Sequence, residues 1–398
     1  MANTILRWAF IGVGGGGCNI LRDTLMFSKY VRDGVKDALF FDTSITTKVR
    51  IAKDRIPESI NTRVYEYGST QGAMINPKLG EQYMEKFLGE RDGEGTVLDT
   101  LYDMLDEVDS VCIFFTLGGG TGGGGAPLLA QKILERGRQV ILVGVLTDVF
   151  GGELHVANTI PNIGRVMELL RVNRDSTALI LLDNETLRNI TNGTFPKINE
   201  YIARMIDYLF STSVVAKEQT GKTMDVSDMI SLIRDRGGAV ATLSGSMNYM
   251  KENTGKEKPA LTIERIFETP ILRNFSVCFD DIKKGLTNVK VSYLGCESEY
   301  RILEEYVGEF IIRKLDYSPI QIYPSFTRGD ELVTVALIPN IVLTDVLRNC
   351  YELSLKMSRL RDTAYAFSEE EVKKYWRILE VHDKLLTDNM KLWMEMTQ

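Results

Sequence analysis

A run of glycines at 118–125 is the feature of the sequence that most clearly indicates chemistry. Seven of its eight residues are glycine and the other is Thr121, between an apolar segment and a helical one. Each glycine costs roughly 0.5–1 kcal/mol of backbone entropy in regular structure, so a run this long needs a strong cause. A ring of backbone N–H groups around a polyphosphate is such a cause. The run therefore predicts a phosphate-binding loop.

A second glycine segment, GVGGGG at 12–17, contains the spacing G-x-G-x-x-G between a predicted strand and a predicted helix. Asp42 ends the next predicted strand, where a dinucleotide-binding fold places its ribose-binding acid. This segment alone is compatible with a dinucleotide-dependent oxidoreductase. That alternative gives no role to the run at 118–125, because a dinucleotide fold does not need a second glycine loop.

The elements that would position both loops alternate between apolar runs and helical stretches. Nearly continuous apolar runs predict buried parallel strands at 4–13, 37–42, 110–117, 139–146 and 177–183. Between them, helical patterns begin near Asn19 and cover Pro77–Leu88, Leu98–Leu105 and Ala126–Arg136. This alternation predicts a doubly wound α/β domain whose ligands bind at the carboxyl ends of the strands.

The second half of the chain has a different pattern. A helix is predicted at 196–213 and another from about Val226, and then 286–340 is predicted to form strand, helix, strand and strand, as a smaller α+β domain. A long amphipathic helix ends the sequence, opened by Ser368 and Glu371 in a capping box. We expect this helix to pack on its own domain, and a contact with a partner or a neighbouring subunit is the alternative.

Composition excludes several classes of function. The 398 residues carry a net charge of −7, which argues against nucleic acid or an anionic membrane as the main direct partner. We expect no signal peptide and no apolar segment of the roughly 18 residues that span a bilayer, and therefore a cytoplasmic protein. Five cysteines without C-x-x-C spacing and only two histidines predict no structural zinc site.

Several motifs together resemble those of one family. GGGTGGG at 118–124 resembles the tubulin and FtsZ signature GGGTGTG and departs from it only at Gly123, where the signature has a second threonine. GVGGGGCN at 12–19 is similar to the first phosphate loop of FtsZ, and QGAMINPKLG at 71–80 is similar to the family loop that ends in N-P-x-x-G. DTS at 42–44 stands where the family has NTD or NTS. The chain is identified as a member of the tubulin/FtsZ superfamily.

The resemblance implies that the ligand is GTP or GDP with Mg²⁺. LLDNETL at 181–187 and TFPKINEYI at 194–202 resemble the tubulin segments that read and stack on guanine, and the loop at 147–155 stands where the family contacts ribose. Asp42 would add a carboxylate near the γ-phosphate, as a ligand to magnesium or water. The implied nucleotide contacts are Gly14, Gly15, Gly16, Gly17, Cys18, Asn19, Asp42, Thr43, Gly72, Asn76, Gly118, Gly119, Gly120, Thr121, Gly122, Gly123, Glu153, Asn184, Phe195 and Asn199.

A pair of acids carries the implied hydrolysis. TMDVSDMISLI at 223–233 is similar to the FtsZ segment NVDFADV, with Asp225 and Asp228 at its two acids and Thr223 in place of its asparagine. Carboxylates also favour the first turn of any helix, which is the structural alternative. The resemblance implies that these acids enter the nucleotide pocket of the next subunit in a head-to-tail filament, so that hydrolysis waits for assembly. The departures at Gly123 and Thr223 leave a filament without hydrolysis as another alternative.

The resemblance also predicts the domains and a cellular role. GDELVTVALI at 329–338 is similar to the closing strand of the second FtsZ domain, whereas the terminal helix is similar to TubZ, the plasmid and phage segregation branch. We therefore expect a GTPase that segregates DNA through a DNA-binding adaptor, with FtsZ-like division or shape control as the alternative. The expected parts are a GTP-binding domain at 1–195, a central helix at 196–217, an activation domain at 218–345 and a C-terminal helical extension at 346–398.

Overall fold

The main sheet of the protein is parallel throughout. The computed structural model describes residues 7–28, 31–44, 56–69, 72–148, 151–191, 193–214, 344–360 and 365–397, and six strands between residues 239 and 338. The sheet has the order β3-β2-β1-β6-β7-β8-β9. Its strands are β1 (Trp8–Val13), β2 (Val35–Asp42), β3 (Asn61–Glu66), β6 (Ser110–Thr116), β7 (Gln139–Leu146), β8 (Thr177–Asp183) and β9 (Ala239–Val240), while β4 (Arg91–Asp92) and β5 (Gly95–Thr96) pair separately.

Helices cover both faces of this sheet, as the sequence predicts. Along β1, Trp8 and Phe10 join one hydrophobic cluster, and Ala9, Ile11 and Val13 join the other. Side chains alternate across a strand, so a continuous apolar run supplies both cores at once. The helices are α1 (Gly14–Phe27), α2 (Pro77–Leu88), α3 (Val97–Leu105), α4 (Gly120–Glu135), α5 (Glu153–Val172), α6 (Asn184–Thr191), α7 (Phe195–Val214), α8 (Asp345–Arg359) and α9 (Glu369–Thr397).

Two predicted boundaries are wrong in the same way. The sequence places the helix starts near Asn19 and Ala126, after the glycines, whereas α1 begins at Gly14 and α4 at Gly120. Glycine is a poor helix former, so its presence argues for a turn. Tertiary packing decides otherwise here, because the residues at 120–125 are all buried. The glycine runs are therefore the first turns of two helices rather than free loops.

A second sheet contains the strands predicted in the later part of the chain. The segments expected within 286–340 correspond to β12 (Val289–Gly295), β13 (Ile320–Phe326) and β14 (Val333–Ile338), which are joined by β10 (Leu243–Met247) and β11 (Arg273–Phe275) in the order β11-β10-β14-β12-β13. Helix α7 packs against α1 and contacts four strands of this sheet. The helices predicted from Val226 and at 299–315 lie outside the described residues.

The C-terminal helices dock on α5 at a proline. Pro161 has no N–H to bond the Ala157 carbonyl one turn earlier, so that carbonyl is available to other donors. The Ser354 hydroxyl on α8 donates to it at 2.6 Å, and the Tyr365 hydroxyl donates at 3.0 Å. This arrangement fixes α8 and the start of α9 against α5.

The predicted capping box opens α9, because the Ser368 hydroxyl accepts from the Glu371 N–H at 3.2 Å and Glu371 accepts from the Ser368 N–H at 2.8 Å. The Trp376 ring then stacks on Tyr351 of α8 with centroids 4.3 Å apart. The first half of α9 thus packs on its own domain, as expected.

Among the described residues, no helix combines the length and apolar composition that crossing a bilayer requires.

Candidate functional site

The N-termini of α1 and α4 meet at the carboxyl ends of the adjacent strands β1 and β6. Gly14 has a φ of +74°, and a side chain there would stand 2.8 Å from the Gly122 nitrogen. Neither N-cap residue, Val13 or Gly119, makes a side-chain capping hydrogen bond. The first N–H groups of a helix have no partner within the helix, and they carry the positive end of its dipole. Two such ends in contact form a site that suits an anion.

The later glycines of the run at 118–125 have a packing role. A Cβ on Gly124 would overlap the Pro77 carbonyl oxygen, and one on Gly80 would overlap the Gly120 carbonyl oxygen. The N–H of Gly123 already bonds the Gly119 carbonyl at 3.1 Å. These glycines let α2 approach the backbone of α4. Only the first turn of α4 therefore presents unbonded N–H groups, fewer than the ring that the sequence suggests.

Thr43 and Thr121 join the loop after β2 to the start of α4. Their hydroxyl oxygens are 2.6 Å apart, and both residues are buried. Asp42 is also buried, and its carboxylate accepts from the Thr43 N–H at 2.8 Å. A carboxylate and two hydroxyls, which are hard oxygen ligands, thus lie beside the uncapped helix ends. Among the described residues no group of three or more His, Cys, Asp or Glu side chains could hold a metal ion by itself.

The segment 72–80 packs on the start of α4. Gly72 has a φ of +69°, and a Cβ there would lie 3.4 Å from the Thr43 hydroxyl. Met74 and Ile75 also have positive φ values, 47° and 59°, which is strained for a β-branched residue such as Ile75. Asn76 caps α2, because its side chain accepts from the Leu79 N–H at 3.1 Å. The asparagine of the N-P-x-x-G motif therefore has a structural role as a helix cap, and its contact with the nucleotide stays a prediction.

Cys18 and Asn19 lie on α1, beyond its first turn. The buried Cys18 thiol donates to the Gly12 carbonyl at 3.4 Å and to the Phe41 carbonyl at 3.6 Å. Burial raises the pKa of this thiol well above its usual value, and the nearby Asp42 carboxylate raises it further. Cys18 is therefore a neutral thiol that ties α1 to β1 and β2.

The predicted base-reading residues lie between α1, α6 and α7. Asn199 donates through Nδ2 to the Asp23 carboxylate at 2.8 Å, and Arg22 bonds both Asp23 and, at 3.3 Å, the Asn19 side-chain oxygen. This network brings Asn19 and Asn199 to one place. Asp23, which is 4% exposed, was missed in the sequence, since a carboxylate within a helix is normally a surface residue.

The predicted stacking residue is accessible. The Phe195 side chain is 59% exposed, and the Arg188 guanidinium lies 5.5 Å from its ring centroid. Arg188 is in turn held by the buried carboxylate of Asp148 at 2.8 Å.

Asn184, the predicted base-reading residue, is the first residue of α6. Asp183 caps the first turn of this helix, because its carboxylate accepts from the Glu185 N–H at 3.0 Å.

The structure describes one of the three remaining predicted residues, Glu153. Glu153 is the first residue of α5, and its exposed carboxylate is 3.6 Å from Lys356 of α8. The structure thus places Glu153 toward the C-terminal helices. Asp225 and Asp228 lie outside the described residues, as does Thr223.

Two buried asparagines on α5 hold the loops, and the sequence analysis missed both. The Asn158 amide donates to the carbonyls of Ile75 at 2.7 Å and Gly118 at 3.2 Å. The Asn162 amide donates to the Leu117 carbonyl at 2.6 Å. The available signal was their i, i+4 spacing inside an apolar helix, which puts two amides on one buried face.

Comparisons with known proteins agree with this geometry. Residues 7–192 match the family described as Tubulin/FtsZ family, GTPase domain. The chain is 24% identical over 274 residues to the cell division protein FtsZ of Aquifex aeolicus (strain VF5), a match that covers 67% of this chain and 65% of that relative. The chain therefore spans just under two thirds of the length of this curated relative.

Solved structures show the same fold. CetZ2 from Haloferax volcanii, as a GTPγS-bound protofilament, superposes with a TM-score of 0.65 at 20% identity, covering 88% of this chain and 98% of that one. A GTPγS-form protofilament of TubZ from Bacillus thuringiensis serovar israelensis gives a TM-score of 0.61 at 16% identity, with coverage of 89% and 94%. At these identities the likeness establishes the architecture and not the activity.

Proposed function

We propose that this chain, whose residues 7–192 match the tubulin/FtsZ family of GTPase domains, binds GTP and hydrolyses it within a head-to-tail filament of its own copies. The observation that carries the proposal is the contact between the two helix ends at Gly14 and Gly122, which both lack a side-chain cap. A polyphosphate would satisfy the N–H groups of both ends at once. The two relatives whose structures are protofilaments support self-assembly.

In this proposal the phosphates lie across the two glycine segments. Gly14, Gly15 and Gly16 begin α1, and Gly120, Thr121 and Gly122 begin α4, with Gly118 and Gly119 immediately before it. Gly17 and Gly123 admit the close approaches that shape the pocket, and Gly72 supplies a left-handed turn with a φ of +69°. Asp42, Thr43 and Thr121 offer the oxygen ligands that Mg²⁺ prefers, and the ion would offset charge on the phosphates when bound. The chain itself contributes the fixed N–H dipoles.

The base and ribose are assigned to the far end of α1 and its neighbours. Phe195 is exposed enough to stack on a purine, and Arg188 already covers one side of its ring. Asn19, Asn184 and Asn199 offer amide groups to the base edge, and the buried Asp23 carboxylate holds Asn199 in place. Glu153 is the proposed ribose contact. Its exposed carboxylate lies 3.6 Å from Lys356, so a contact with the ribose would replace this ion pair.

Hydrolysis is assigned to a second copy. Asp225 and Asp228 of one subunit would enter the pocket of the next and orient the attacking water, while the N–H groups at the helix ends stabilise charge on the phosphates. Turnover would then depend on assembly, because the nucleotide pocket of one subunit would receive its acids only from the next subunit. Without that contact the subunit would bind GTP and hydrolyse it slowly.

The test combines light scattering with phosphate release after GTP is added. We expect the unchanged chain to scatter above a critical concentration and to release phosphate only there. Asp225→Ala and Asp228→Ala should still assemble but lose phosphate release by about 100-fold or more. Glu94→Ala, in the exposed turn between β4 and β5, is the matched control and should behave like the unchanged chain. No GTP-dependent scattering at any concentration refutes the filament, and undiminished release in both variants refutes the acid assignment.

Within this function we propose DNA segregation in the cytoplasm through a DNA-binding adaptor, as in TubZ. The long helix α9, docked on α8, supports it, and the matches to cell division FtsZ proteins favour division or shape control as the alternative. A fluorescent fusion in a bacterium separates them. Segregation is supported if the filaments lengthen along the cell and the cells retain an otherwise unstable plasmid that carries the gene. A ring at midcell, without retention of the plasmid, supports the alternative.

A further inference from the structure

Asn162 of α5 occupies the space that a side chain at position 123 would need. A Cβ on Gly123 would overlap the Asn162 amide nitrogen and would lie 2.9 Å from its Cγ and 2.9 Å from the Leu117 carbonyl oxygen. Real Cβ atoms do not make such contacts with a fixed neighbour. Gly123 stands where the tubulin and FtsZ signature GGGTGTG, which the segment 118–124 resembles, has its second threonine. The departure at Gly123 thus has a physical partner on another helix.

The Asn162 side chain is costly to bury, which argues that it does more than fill space. It is fully buried, and its Oδ1 atom has no hydrogen-bond partner among the described residues. An unpartnered buried acceptor destabilises the folded state, and an apolar side chain of similar size would avoid that loss. What the asparagine provides is the bond from Nδ2 to the Leu117 carbonyl at 2.6 Å.

Asn158, one helical turn earlier, repeats the arrangement. It is also fully buried, its amide donates to the Gly118 and Ile75 carbonyls, and its Oδ1 atom likewise has no partner in the described part of the chain. Two amides on one face of α5 therefore hold three carbonyls of the segments around α4.

Peptide planarity turns these bonds into an orientation of the backbone. The carbonyl of one residue and the N–H of the next point in opposite directions across a trans peptide. Drawing the Leu117 and Gly118 carbonyls toward α5 therefore directs the N–H groups of Gly118 and Gly119 away from α5. It also keeps two carbonyl oxygens, which would repel an anion, from turning toward the uncapped start of α4.

We propose that the Asn162 side chain on α5 fills the space that a threonine at position 123 would fill. Together with Asn158, it acts as a positioning residue for the phosphate-binding backbone. This inference rests on the proposed function, since it concerns how the chain holds the phosphates of GTP. Asn162 touches the loop rather than the nucleotide, so its effect falls on the orientation of the Leu117–Gly118 and Gly118–Gly119 peptides. A purely structural role would change stability without changing the preference for phosphates.

The experiment compares Asn162→Ala, Gly123→Thr and the double variant Gly123→Thr/Asn162→Gly with the unchanged chain. Competition with a fluorescent GTP analogue measures the affinities for GTP and GMP, and thermal unfolding without nucleotide measures stability. Asn173→Ala is the matched control, because Asn173 caps the far end of α5 and its amide donates to that same helix, to the Leu169 carbonyl at 3.1 Å. GMP lacks the outer phosphates, so it reports the part of binding that does not depend on them.

We expect Asn162→Ala to weaken GTP binding by about 10-fold and GMP binding by less than about twofold. Gly123→Thr should lower the unfolding temperature. The double variant should recover part of that loss, because the contact with the Leu117 carbonyl remains, and it should bind GTP within about threefold of the unchanged chain. Asn173→Ala should leave the ratio of GTP to GMP affinity unchanged.

Three results overturn the inference: unchanged GTP affinity in Asn162→Ala, equal losses for GTP and GMP, or a double variant no more stable than Gly123→Thr alone. Failure of the proposed function looks different, because the unchanged chain would then not bind GTP. In that case the thermal unfolding of the single and double variants still decides whether the side chains at positions 162 and 123 compete for the same space.

Discussion

The two glycine segments, 12–17 at the end of β1 and 118–125 after β6, have nearly the same composition and are both closely packed, but only the first also needs glycine for a left-handed turn. In the first, Gly14 has a φ of +74°, a conformation that L side chains rarely adopt. In the second, which the structure describes completely, no glycine has a positive φ. Its glycines are required because the carbonyl at the end of β1, the backbone of α2 and an α5 side chain come too close to leave room for a Cβ.

This difference shows that a glycine run can indicate contact between elements as well as a flexible loop. Glycine fills five of the first six positions of α4, so Pro77 of α2, Val13 at the end of β1 and Asn162 of α5 all approach its backbone. The packed glycines bring the uncapped N-termini of α1 and α4 together, and the turn at Gly14 sets the direction in which α1 begins. Substitutions that affect only one of the two roles can separate them.

The largest effect is expected at a packed glycine. The Cβ of Gly124→Ala would overlap the Pro77 carbonyl and lie 2.8 Å from the Glu81 nitrogen, and backbone atoms cannot move aside as a side chain can. We expect the free energy of unfolding to fall by about 3 kcal/mol or more in urea denaturation. Gly125→Ala is the control, because its Cβ meets the flexible Met84 side chain at 3.2 Å and should change stability by less than about 1 kcal/mol. Equal losses in the two variants would contradict the packing role.

A smaller effect is expected at the turn glycine. Gly14→Ala forces alanine into a left-handed conformation and against the Gly122 nitrogen, so stability should fall by about 2 kcal/mol and GTP affinity should fall as well. Gly137→Ala has a similar φ of +77° with nothing within 4 Å, so it isolates the conformational strain. It should lose about 1 kcal/mol in urea denaturation and keep its GTP affinity. A matching loss of affinity in Gly137→Ala would show that the effect is not local to the site.

The hydroxyl pair that ties the loop after β2 to α4 comes next. Thr121→Val leaves the buried Thr43 hydroxyl without this partner and should cost about 1.5 kcal/mol, as should Thr43→Val. A double-mutant cycle by urea denaturation should give a coupling of about 1 kcal/mol between them. Thr121→Ser retains the hydroxyl and should lose less. Additive losses would mean that the 2.6 Å contact contributes nothing of its own.

The smallest effect is expected at Asn76, whose cap joins α2 to the site. Asn76→Ala should lower stability by about 1 kcal/mol, and Asn76→Ser should retain most of it because serine also caps helices. Thermal unfolding gives the stability, and GTP affinity gives the second readout. If Asn76 also contacts the nucleotide, Asn76→Ser will restore stability but not affinity. Full recovery of both would assign the residue to the cap alone.

The fold could be predicted from the sequence wherever burial alone decides it. Strands at 139–146 and 177–183 agree with β7 and β8 because both faces of each strand are covered, which makes the apolar run continuous. Strand β3 was not predicted, since this edge strand is partly exposed and carries polar residues such as Asn61 and Arg63. Short strands of this kind are defined by pairing with a neighbour rather than by their own pattern.

The site was predictable in its motifs and not in its supports. The glycine segments and Thr43 can be found by spacing and resemblance, and the structure brings them together. Asn158 and Asn162 could not be assigned, because nothing in the sequence shows which carbonyls a buried amide will meet. The helix starts at Gly14 and Gly120 were missed for a related reason, since packing outweighed the poor helix propensity of glycine.

The central claim is that the contact between the two uncapped helix ends binds the phosphates of GTP. Isothermal titration calorimetry of the unchanged chain with GTP, GDP and GMP at one salt concentration tests it most directly. Two or more charge-assisted bonds to the outer phosphates should make GTP bind about 100-fold tighter than GMP, with GDP between them or close to GTP. GMP binding as tightly as GTP, or no binding of GTP, would contradict the claim.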